Sequence, residues 1–373
     1  MKSKGIEKVL VTGGCGFIGS HTVDLLIGKG YEVTILDNLE PQVHRGKVPI
    51  YLNKNAKLIK GDVRDRELIL TLVREADAII HLAAVVGVWQ SMYQLNKYLD
   101  YNTRGTATLL DVLVNEENDV KKLVVASSIA VYGEGKYHCE KCNETKYSGP
   151  RNEEQLKNRM WDPPCPDCGT SLKSLPTDES KPLMPTSIYA MSKRHQEEMC
   201  LLIGKTHGIP TVVLRYSNVY GPRQTIFNPY TGAAAIFASR ILNNKPPYLF
   251  EDGNQLRDYI HVKDVANVNA QVLKSSSVDY QAINIGVGQA TSIRRLAELL
   301  IEIYRVKLEP HISQRYRRGD VRHCYPDIGK AQRLLNYKPS VSIEQGLREL
   351  AQWGKAHGWG AVDFFEKALE GLE

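Results

Sequence analysis

A loop of sequence Gly13-Gly14-Cys15-Gly16-Phe17-Ile18-Gly19 decides the fold expected for this chain. We predict an apolar strand directly before it, over residues 8–12, and a helix after it, from about 20 to 29. Glycines at its first, fourth and seventh positions permit a tight turn, close approach of the backbone to a pyrophosphate and close helix packing. The N–H groups and positive dipole at a helix start favour bound phosphate. The loop therefore predicts a dinucleotide site.

Short apolar segments alternate with helical ones along the first part of the chain. Further strands are predicted over 31–36, 57–60, 78–82, 123–126 and 211–215, and helices over about 99–115 and 188–205. Strands that alternate with helices imply an α/β fold with a Rossmann-type, doubly wound parallel sheet. Ligands of such sheets bind at the carboxyl ends of the strands.

Asp37 ends the second predicted strand, 24 residues after Gly13. A carboxylate there accepts hydrogen bonds from a ribose diol and repels a 2′-phosphate. Because Asn38, Leu39 and Glu40 follow without an arginine or lysine, the site favours NAD over NADP. A capping or turn aspartate is the alternative. Asp62 lies where it could reach the adenine, although a turn aspartate is nearly as plausible there.

Tyr189 and Lys193 lie four residues apart on a predicted helix, so both project from one face. A tyrosine has a pKa near ~10 and needs a nearby cation to act as a base at neutral pH. Ser128, at the end of an apolar strand, can bond to the same substrate hydroxyl. Tyrosine and lysine have this spacing by chance in many helices. Together with the glycine loop and the serine, however, the pair predicts hydride exchange with an alcohol.

Two Cys-x-x-Cys pairs interrupt this pattern within residues 135–175, where apolar periodicity is lost. Their cysteines are Cys139, Cys142, Cys165 and Cys168. Four thiolates at this spacing fit a tetrahedral, structural zinc with no open position for catalysis. Redox-active pairs or disulfides are the alternatives. A bound metal would stabilise a segment that is too polar to fold alone.

The composition is that of an ordinary globular protein, with 42% hydrophobic and 24% charged residues. A net charge of +6 comes without a basic tail, so it is either a mildly cationic surface or an attraction for an anionic small molecule. Nucleic acid is not required as a partner. No apolar stretch reaches the ~20 residues that span a bilayer, and no signal-peptide segment is recognisable. We therefore expect a cytoplasmic protein without a membrane partner.

Several further motifs carry a family resemblance. From about residue 9 to 350, outside the insertion, the chain resembles an extended short-chain dehydrogenase/reductase of the nucleotide-sugar epimerase and dehydratase group. The motifs are His81-Leu82-Ala83-Ala84, Asn102 before Arg104-Gly105-Thr106, Ser128-Ile129-Ala130-Val131-Tyr132-Gly133, Leu214-Arg215-Tyr216-Ser217-Asn218-Val219-Tyr220-Gly221-Pro222, Arg257-Asp258-Tyr259-Ile260-His261-Val262-Lys263-Asp264 and Arg317-Arg318-Gly319-Asp320.

The resemblance implies a role for each matching position. Catalysis falls to Ser128, Tyr189 and Lys193. Contacts to NAD are implied for Gly13, Gly16, Phe17, Ile18, Gly19, Asp37, Asn38, Asp62, Val63, Leu82, Ala83, Ala84, Tyr189, Lys193 and Asn102, the last of which would also support the site near Tyr189 and Lys193. The substrate is a nucleotide-diphosphate sugar, which is expected to contact Ser91, Ser128 and Cys324. Asn218 and Arg257 are implied as ligands of its diphosphate, and Arg317 and Asp320 would hold its nucleotide end. Arginines suit a diphosphate through charge-assisted bonds. A structural ion pair with Asp258 or Asp264 is the alternative for Arg257.

The two residues after Ser128 distinguish dehydratases from epimerases within this group. A 4,6-dehydratase needs an additional acid and base, which in the resembling dehydratases follow the catalytic serine or threonine. Ile129 and Ala130 stand there and cannot transfer protons. The resemblance therefore implies a 4-epimerase, in which a 4-keto sugar rotates about its diphosphate linkage and is then reduced on its other face.

The identity of the sugar is a finer question. Residues 86–93, residues 227–232 and the two-knuckle insertion resemble proteins of the dTDP-L-rhamnose 4-epimerase type. UDP-glucose or UDP-glucuronate epimerisation, including N-acetylated sugars, is the main alternative. The small Cys324 would leave room for a bulky substituent, although cysteine also fills cores. A net oxidoreductase and a non-catalytic, NAD-bound scaffold are the remaining alternatives.

The expected organisation has two lobes. Residues 1–219 form the NAD-binding domain, which contains the insertion 135–175. Residues 220–373 form a smaller, C-terminal α/β lobe that binds the nucleotide sugar, with part of 257–290 returning to the first domain. The helices over 99–115 and 188–205 resemble those of a four-helix dimer interface, so we expect a homodimer.

Overall fold

A seven-stranded parallel sheet is the centre of the computed structural model, which describes residues 5–225 and 231–358. Its strands are β1 Lys8–Thr12, β2 Glu32–Asp37, β3 Lys57–Lys60, β4 Ala78–His81, β5 Lys122–Ser128, β6 Thr211–Tyr216 and β7 Gln281–Ile285. Their spatial order is β7-β6-β5-β4-β1-β2-β3, and every neighbouring pair is parallel. The order reverses between β1 and β4, which opens a ligand crevice there. The predicted doubly wound sheet is confirmed.

Helices cover both faces of the sheet. The long ones are α1 Phe17–Gly28, α2 Arg66–Arg74, α3 Gly105–Asn115, α4 Ile188–His207 and α5 Val262–Val272. α1 and α5 pack on one face through residues such as Val23 and Val268, whereas α2, α3 and α4 cover the other. Burial on both faces explains why the strands are continuously apolar rather than alternating.

Some predicted boundaries shift by a few residues. α1 begins at Phe17, three residues earlier than predicted, because Gly16 has the extended backbone of an N-cap. β5 continues to Ser128, so the serine itself belongs to the strand. The helix predicted over 99–115 begins with a π-helical turn, Leu99–Arg104, before α3. Such turns often occur near functional sites.

A second apolar core lies beyond β6. It is formed by the helices Ala233–Leu242, Ile293–Tyr304 and Ile343–Ala356. Two-stranded sheets accompany it, pairing Asn218–Tyr220 with Tyr259–His261, Tyr248–Leu249 with His311–Ile312, and Leu256–Arg257 with Thr291–Ser292. Between these elements the chain returns to the main sheet through α5 and β7.

Shorter helical segments connect these elements. They are Pro41–His44, Val88–Ser91, Leu95–Tyr98, Glu153–Lys157, Gly329–Leu335 and a 3₁₀ turn, Ile129–Tyr132. Across residues 5–225 and 231–358, none of the helices combines the length and the hydropathy needed to cross a membrane. Most of the stretch 227–232, which carried part of the family resemblance, lies outside the described residues.

The insertion has regular structure of its own. Lys136–Cys139 pairs antiparallel with Glu144–Tyr147 on one side and with Lys173–Leu175 on the other. The short helix Glu153–Lys157 follows, and the Asn152 side chain caps it. The lost apolar periodicity therefore marks a small sheet, not an irregular loop, and its buried cluster holds Cys139 and Cys165 beside Tyr137 and Leu172.

Candidate active site

A cavity of about 650 Å³ opens at the carboxyl ends of β1, β4 and β5. Every residue predicted to contact the dinucleotide lines it, apart from Asn102. The catalytic candidates Ser128, Tyr189 and Lys193 lie in the same wall. All the predicted substrate residues except Ser91 line it as well. Segments far apart in sequence thus meet in one site.

The glycine loop has the geometry of a phosphate cradle. Gly13 has a φ of +72°, which side chains rarely adopt. A Cβ on Gly19 would lie 2.2 Å from the carbonyl oxygen of Gly13, so only glycine fits there. Gly16, the N-cap of α1, lines the cavity as well, so the backbone at the helix start can approach a ligand closely there. These residues fit the pyrophosphate of a dinucleotide.

Asp37 is held rigidly at the end of β2. Its two carboxylate oxygens accept hydrogen bonds from the backbone N–H groups of Cys15 and Leu39, each at 2.9 Å. Asp62 accepts from Asn38 and Arg64. Burial opposes the charge of Asp62, but the bonds from Arg64 and Asn38 outweigh it and lower the pKa of that carboxyl to about 2. Two fixed carboxylates therefore border the part of the cavity next to β2 and β3.

Tyr189 and Lys193 lie on the first turns of α4, whose N-cap is the Ser187 side chain. Burial lowers the pKa of Lys193 to about 8, and its ammonium donates to the Ala126 carbonyl at 2.9 Å. Burial raises the pKa of Tyr189, while a hydrogen bond with Ser128 opposes that rise. The tyrosine alone therefore favours its protonated form, and a neighbouring cation is needed to favour phenolate.

The two serines that end β5 have different partners. Ser127 donates to Glu197 at 2.9 Å, and Glu197 in turn forms a buried ion pair with Arg215. Ser128 accepts only a weak capping bond from the backbone N–H of Ala130, at 3.2 Å, besides its bond with Tyr189. Ser127 is thus a structural residue, and Ser128 is the serine that can bond to a substrate hydroxyl.

Arg317 and Arg257 converge on Asp320 at the opposite end of the cavity. Arg317 donates to the Asp320 carboxylate through Nε at 3.1 Å and through a terminal nitrogen at 2.6 Å. Arg257 lies 3.6 Å from the same carboxylate and donates to backbone carbonyls, including that of Arg322 at 2.9 Å. Burial would raise the pKa of Asp320, but the two arginines lower it. Two arginines against one carboxylate give this end of the cavity an excess of positive charge, which suits an anion, and we call it the anion-binding end.

The alternative ion pairs considered for Arg257 do not form. Asp258 instead accepts from the backbone N–H groups of the loop 287–289. Asp264 accepts from Ser340. Because both carboxylates are satisfied elsewhere, the guanidinium of Arg257 stays at the cavity wall.

The model of the NAD dependent epimerase/dehydratase family matches residues 9–153 and 168–286. The chain belongs to this family. It is 36% identical to the dTDP-L-rhamnose 4-epimerase of Burkholderia thailandensis over 93% of this chain and 94% of that protein.

Two solved structures share this family fold at similar coverage. The UDP-glucose 4-epimerase of Thermotoga maritima with UDP-glucose superposes with a TM-score of 0.77 at 32% identity, over 94% of this chain and 99% of that one. The Thermus thermophilus UDP-glucose 4-epimerase complex with NAD gives 0.75 at 30% identity, over 95% and 100%. The unmatched residues 154–167 lie within the insertion.

Two residues that the family resemblance placed at the ligands lie behind the cavity wall. Ser91 is fully buried and donates to the carbonyl of Val88 in its own short helix. Asn102 is also fully buried, and its amide bonds to the backbone of Val85 and to Ser192. Because Ser192 lies next to Lys193 in α4, Asn102 supports that helix and does not form part of the cavity surface.

Other wall residues were not predicted from the sequence. Phe250 lines the anion-binding end, with the Arg317 guanidinium 4.5 Å from its ring centre. Tyr248 lines the same end, and Thr186 joins it by donating to the carbonyl of Gly319. These residues lie outside every recognised motif, and Phe250 and Thr186 reach Arg317 and Gly319 only in the folded chain.

Cys324 and Asn218 complete the central part of the wall. Cys324 is buried, packs against Ile129 and lies near the Ile129 carbonyl, with a sulfur–oxygen distance of 3.9 Å. Burial raises the pKa of its thiol to about 12, so the cysteine acts as an apolar residue here. Asn218 bonds to the carbonyl of Asp258, which fixes its amide at the surface of the cavity.

The four cysteines of the insertion form one cluster. Their sulfur atoms all lie within 4.8 Å of one another, with 3.5 Å between Cys139 and Cys168 and 3.9 Å between Cys142 and Cys165. Zinc–sulfur bonds of ~2.3 Å in a tetrahedron require sulfur atoms about 3.8 Å apart. The donor set and its spacing therefore fit a tetrahedral Cys₄ metal site.

Proposed function

We propose that this chain is an NAD-dependent nucleotide-sugar 4-epimerase whose substrate is dTDP-L-rhamnose or a related dTDP-6-deoxyhexose. The carrying observation is that Tyr189, Ser128 and Lys193 share one cavity with the anion-binding pair Arg257 and Arg317. A base for a sugar hydroxyl and a binding end for a diphosphate thus face the same space. Membership of the family supplies the chemical class.

The chain's own residues move the proton. The Tyr189 phenolate accepts the proton of the sugar 4-hydroxyl, and the Lys193 ammonium favours that phenolate. Ser128 bonds to the same oxygen and orients it. The glycine loop and Asp37 would hold NAD, which would supply the hydride acceptor for C4 and the hydride donor for the return to the other face. Tyr189 then gives the proton back to the 4-keto oxygen, which leaves the opposite C4 epimer and no net redox change.

The other end of the cavity holds the substrate while the sugar turns. Arg257, Arg317 and Asn218 are available to bind the diphosphate through charge-assisted and neutral hydrogen bonds. The 4-keto sugar can rotate about its diphosphate linkage only if the nucleotide stays bound. Retention at the anion-binding end is therefore what allows return of the hydride to the other face.

Loss of water from the sugar is not part of this reaction. Ile129 and Ala130, in the turn directly after Ser128, carry no group that could protonate a leaving hydroxyl or remove a proton from C5. The same positions argue against a decarboxylase that needs a glutamate there.

The 6-deoxy sugar is supported by the wall near Ser128. Ile129 and Cys324 form an apolar surface that suits a methyl group. The 36% identity to a dTDP-L-rhamnose 4-epimerase agrees with this choice. UDP-glucose is the second candidate, because two structural neighbours act on it.

An assay of turnover without added cofactor tests which nucleotide sugar is the substrate. Purified protein is incubated with dTDP-L-rhamnose, UDP-glucose or UDP-glucuronate, and NMR follows the C4 proton. We expect a new epimer from dTDP-L-rhamnose and no accumulation of NADH. Conversion of a UDP-sugar alone would move the assignment to the second candidate. A stoichiometric requirement for added NADH or NADPH would instead indicate a net oxidoreductase.

A structural zinc in the insertion is the second part of the proposal. The four clustered thiols supply a closed tetrahedral set. Thiols remain reduced in the cytoplasm, which is where we expect the protein to act. Metal analysis should find about one zinc per chain, and Cys165→Ser should remove it.

A homodimer through α4 and the segment before α3 completes the proposal. Leu99, Met191 and Leu202 expose apolar side chains there, and Leu202 is 66% exposed. A second copy would cover them. Light scattering should give twice the 41.9 kDa chain mass, and Leu202→Glu should shift it towards the monomer.

A further inference from the structure

The insertion contacts the segment that carries the anion-binding residues. Arg151, within the insertion, donates to the backbone carbonyl of Asp320 at 3.0 Å. The same guanidinium pairs with Glu251 at 2.8 Å and lies 3.6 Å from Glu134, with all three side chains 1% exposed. The buried Arg151 thus fixes the backbone of Asp320, whose side chain pairs with Arg317 and Arg257.

A second contact comes from Asp162. Its carboxylate accepts from Nε of Arg322 at 2.7 Å and from Nε2 of His323 at 3.2 Å. The other ring nitrogen of His323 accepts from the backbone N–H of Leu256, so Nε2 carries the proton. Arg322 and His323 lie directly before Cys324 in the cavity wall.

Glu134 joins the insertion to the same segment. Its carboxylate accepts from the backbone N–H groups of Arg322 and His323, at 2.7 and 3.3 Å. It also accepts from the hydroxyl of Tyr137, at 2.5 Å. Tyr137 is fully buried in one apolar cluster with Cys139 and Cys165. The network around residues 320–323 therefore continues directly into the cysteine cluster.

The second cysteine knuckle is linked to Asp162 through the backbone. The backbone N–H of Cys165 donates to the carbonyl of Thr170 at 2.7 Å, and that of Leu172 donates to the carbonyl of Pro163 at 3.1 Å. Asp162 directly precedes this hairpin. A metal that closes the knuckle would consequently fix the backbone from which Asp162 reaches Arg322.

We propose that the metal-bound insertion holds residues 320–323 in the arrangement that binds the nucleotide diphosphate, with Arg151 and Asp162 as positioning residues. Metal loading then controls affinity for the nucleotide and leaves cofactor binding and the chemistry at Tyr189 unchanged. The proposal rests on the function proposed above. If the metal only stabilised the fold, its loss would weaken cofactor binding and catalysis as well. Here its loss is expected to weaken only the binding of the nucleotide diphosphate.

Nucleotide affinity with and without metal tests this coupling. We would titrate dTDP and UDP by calorimetry into wild-type protein, into protein stripped by a chelator, and into Cys168→Ser. We expect the Kd of the bound nucleotide and the KM of the sugar to rise about 10-fold or more, a common size for coupling between sites. The kcat and the NAD content should stay near the wild-type values. Added zinc should restore the stripped protein but not Cys168→Ser.

The variant Asp162→Ala distinguishes the effect of the metal from the effect of the contact between Asp162 and Arg322. It should keep its zinc, because all four cysteines remain, and still lose nucleotide affinity to a similar degree. Glu144→Gln is the matched control, since it removes only an exposed ion pair with Lys146 in the same insertion. Circular dichroism and NAD content would show that each variant is folded.

Two outcomes would overturn the proposal. One is a wild-type protein that binds no metal. The other is a metal-free protein, or Asp162→Ala, that binds the nucleotide as tightly as the loaded wild type. Failure of the proposed epimerase is distinguishable, because it would appear as lack of turnover by the fully loaded wild type.

Discussion

The ammonium of Lys193 and the backbone carbonyl of Ala126 are joined by a hydrogen bond of 2.9 Å. Ala126 lies two residues before Ser128 on β5, whereas Lys193 lies one helical turn after Tyr189 on α4. This single bond ties the strand that carries the serine to the helix that carries the tyrosine. Lys193 therefore helps to set the distance between the hydroxyls of Ser128 and Tyr189, and it also supplies the positive charge that favours the phenolate of Tyr189.

Removal of the Tyr189 hydroxyl should abolish turnover without loss of the cofactor. We expect Tyr189→Phe to lower kcat by about 10²- to 10⁴-fold, the usual range for a lost general base. The substitution keeps the ring that packs edge-on against Tyr98. NMR of the sugar and absorbance of bound NAD provide the two measurements. Tyr147→Phe, at an exposed position, is the control. An active Tyr189→Phe would refute the assignment of the base.

The buried charge of Lys193 should appear in the pH dependence of stability. Burial lowers the pKa of Lys193 from 10.5 to about 8, so between these values the unfolded chain binds more protons than the folded one. The free energy of unfolding contributed by this group therefore rises with pH across that window, by up to about 3 kcal/mol.

Urea unfolding of wild type and Lys193→Met measures this contribution. The difference in unfolding free energy, wild type minus variant, should increase from pH 8 to 10.5. A comparison of the two proteins removes the effect of other groups that titrate in the same range. A difference that stays constant would mean that the lysine has an ordinary pKa. Turnover should be lost in Lys193→Met at every pH.

Asp37 should determine the preference for NAD. We expect Asp37→Asn to weaken NAD binding about 10-fold and to reduce discrimination against NADP, because the charge that repels a 2′-phosphate is removed. The amide oxygen can replace only one of the two bonds to Cys15 and Leu39, so folding needs a check by circular dichroism. Asp65→Asn, at a helix cap outside the cavity, is the control. Unchanged selectivity in Asp37→Asn would contradict the ribose role.

The residues after Ser128 should prevent elimination of water. Offered dTDP-glucose, which has a 6-hydroxyl group, the protein should form no 4-keto-6-deoxy product, since Ile129 and Ala130 cannot transfer protons. NMR of the C6 methyl group would detect that product. Its appearance would show that other residues of the cavity act as the acid and base.

The sheet and the position of Ser128, Tyr189 and Lys193 in one cavity were predictable because their signals are local. The strand Lys8–Thr12, the glycine loop and the spacing of Tyr189 and Lys193 are each contained within a few residues. Periodicity and turn chemistry specify such features without knowledge of the rest of the chain. The cysteine cluster was predicted for the same reason, since two knuckles define its ligands.

Contacts between distant segments were not predictable in this way. Nothing in the sequence pairs Arg151 with the carbonyl of Asp320, 169 residues later. Ser91 and Asn102 were placed at ligands by family resemblance, yet their side chains are satisfied behind the wall by Val88, Val85 and Ser192. Hydrogen-bond partners that decide orientation depend on the completed fold.

Retention of the C4 hydrogen distinguishes the return of a hydride from the exchange of a carbon-bound proton with solvent. We would incubate dTDP-L-rhamnose in D₂O with the protein alone, without added NAD, and follow C3, C4 and C5 by NMR. We expect a C4 epimer that keeps its original hydrogen at C4 and gains no deuterium at any ring carbon. Deuterium at C3, C4 or C5 would contradict it, because the reaction would then proceed by exchange of a carbon-bound proton with solvent.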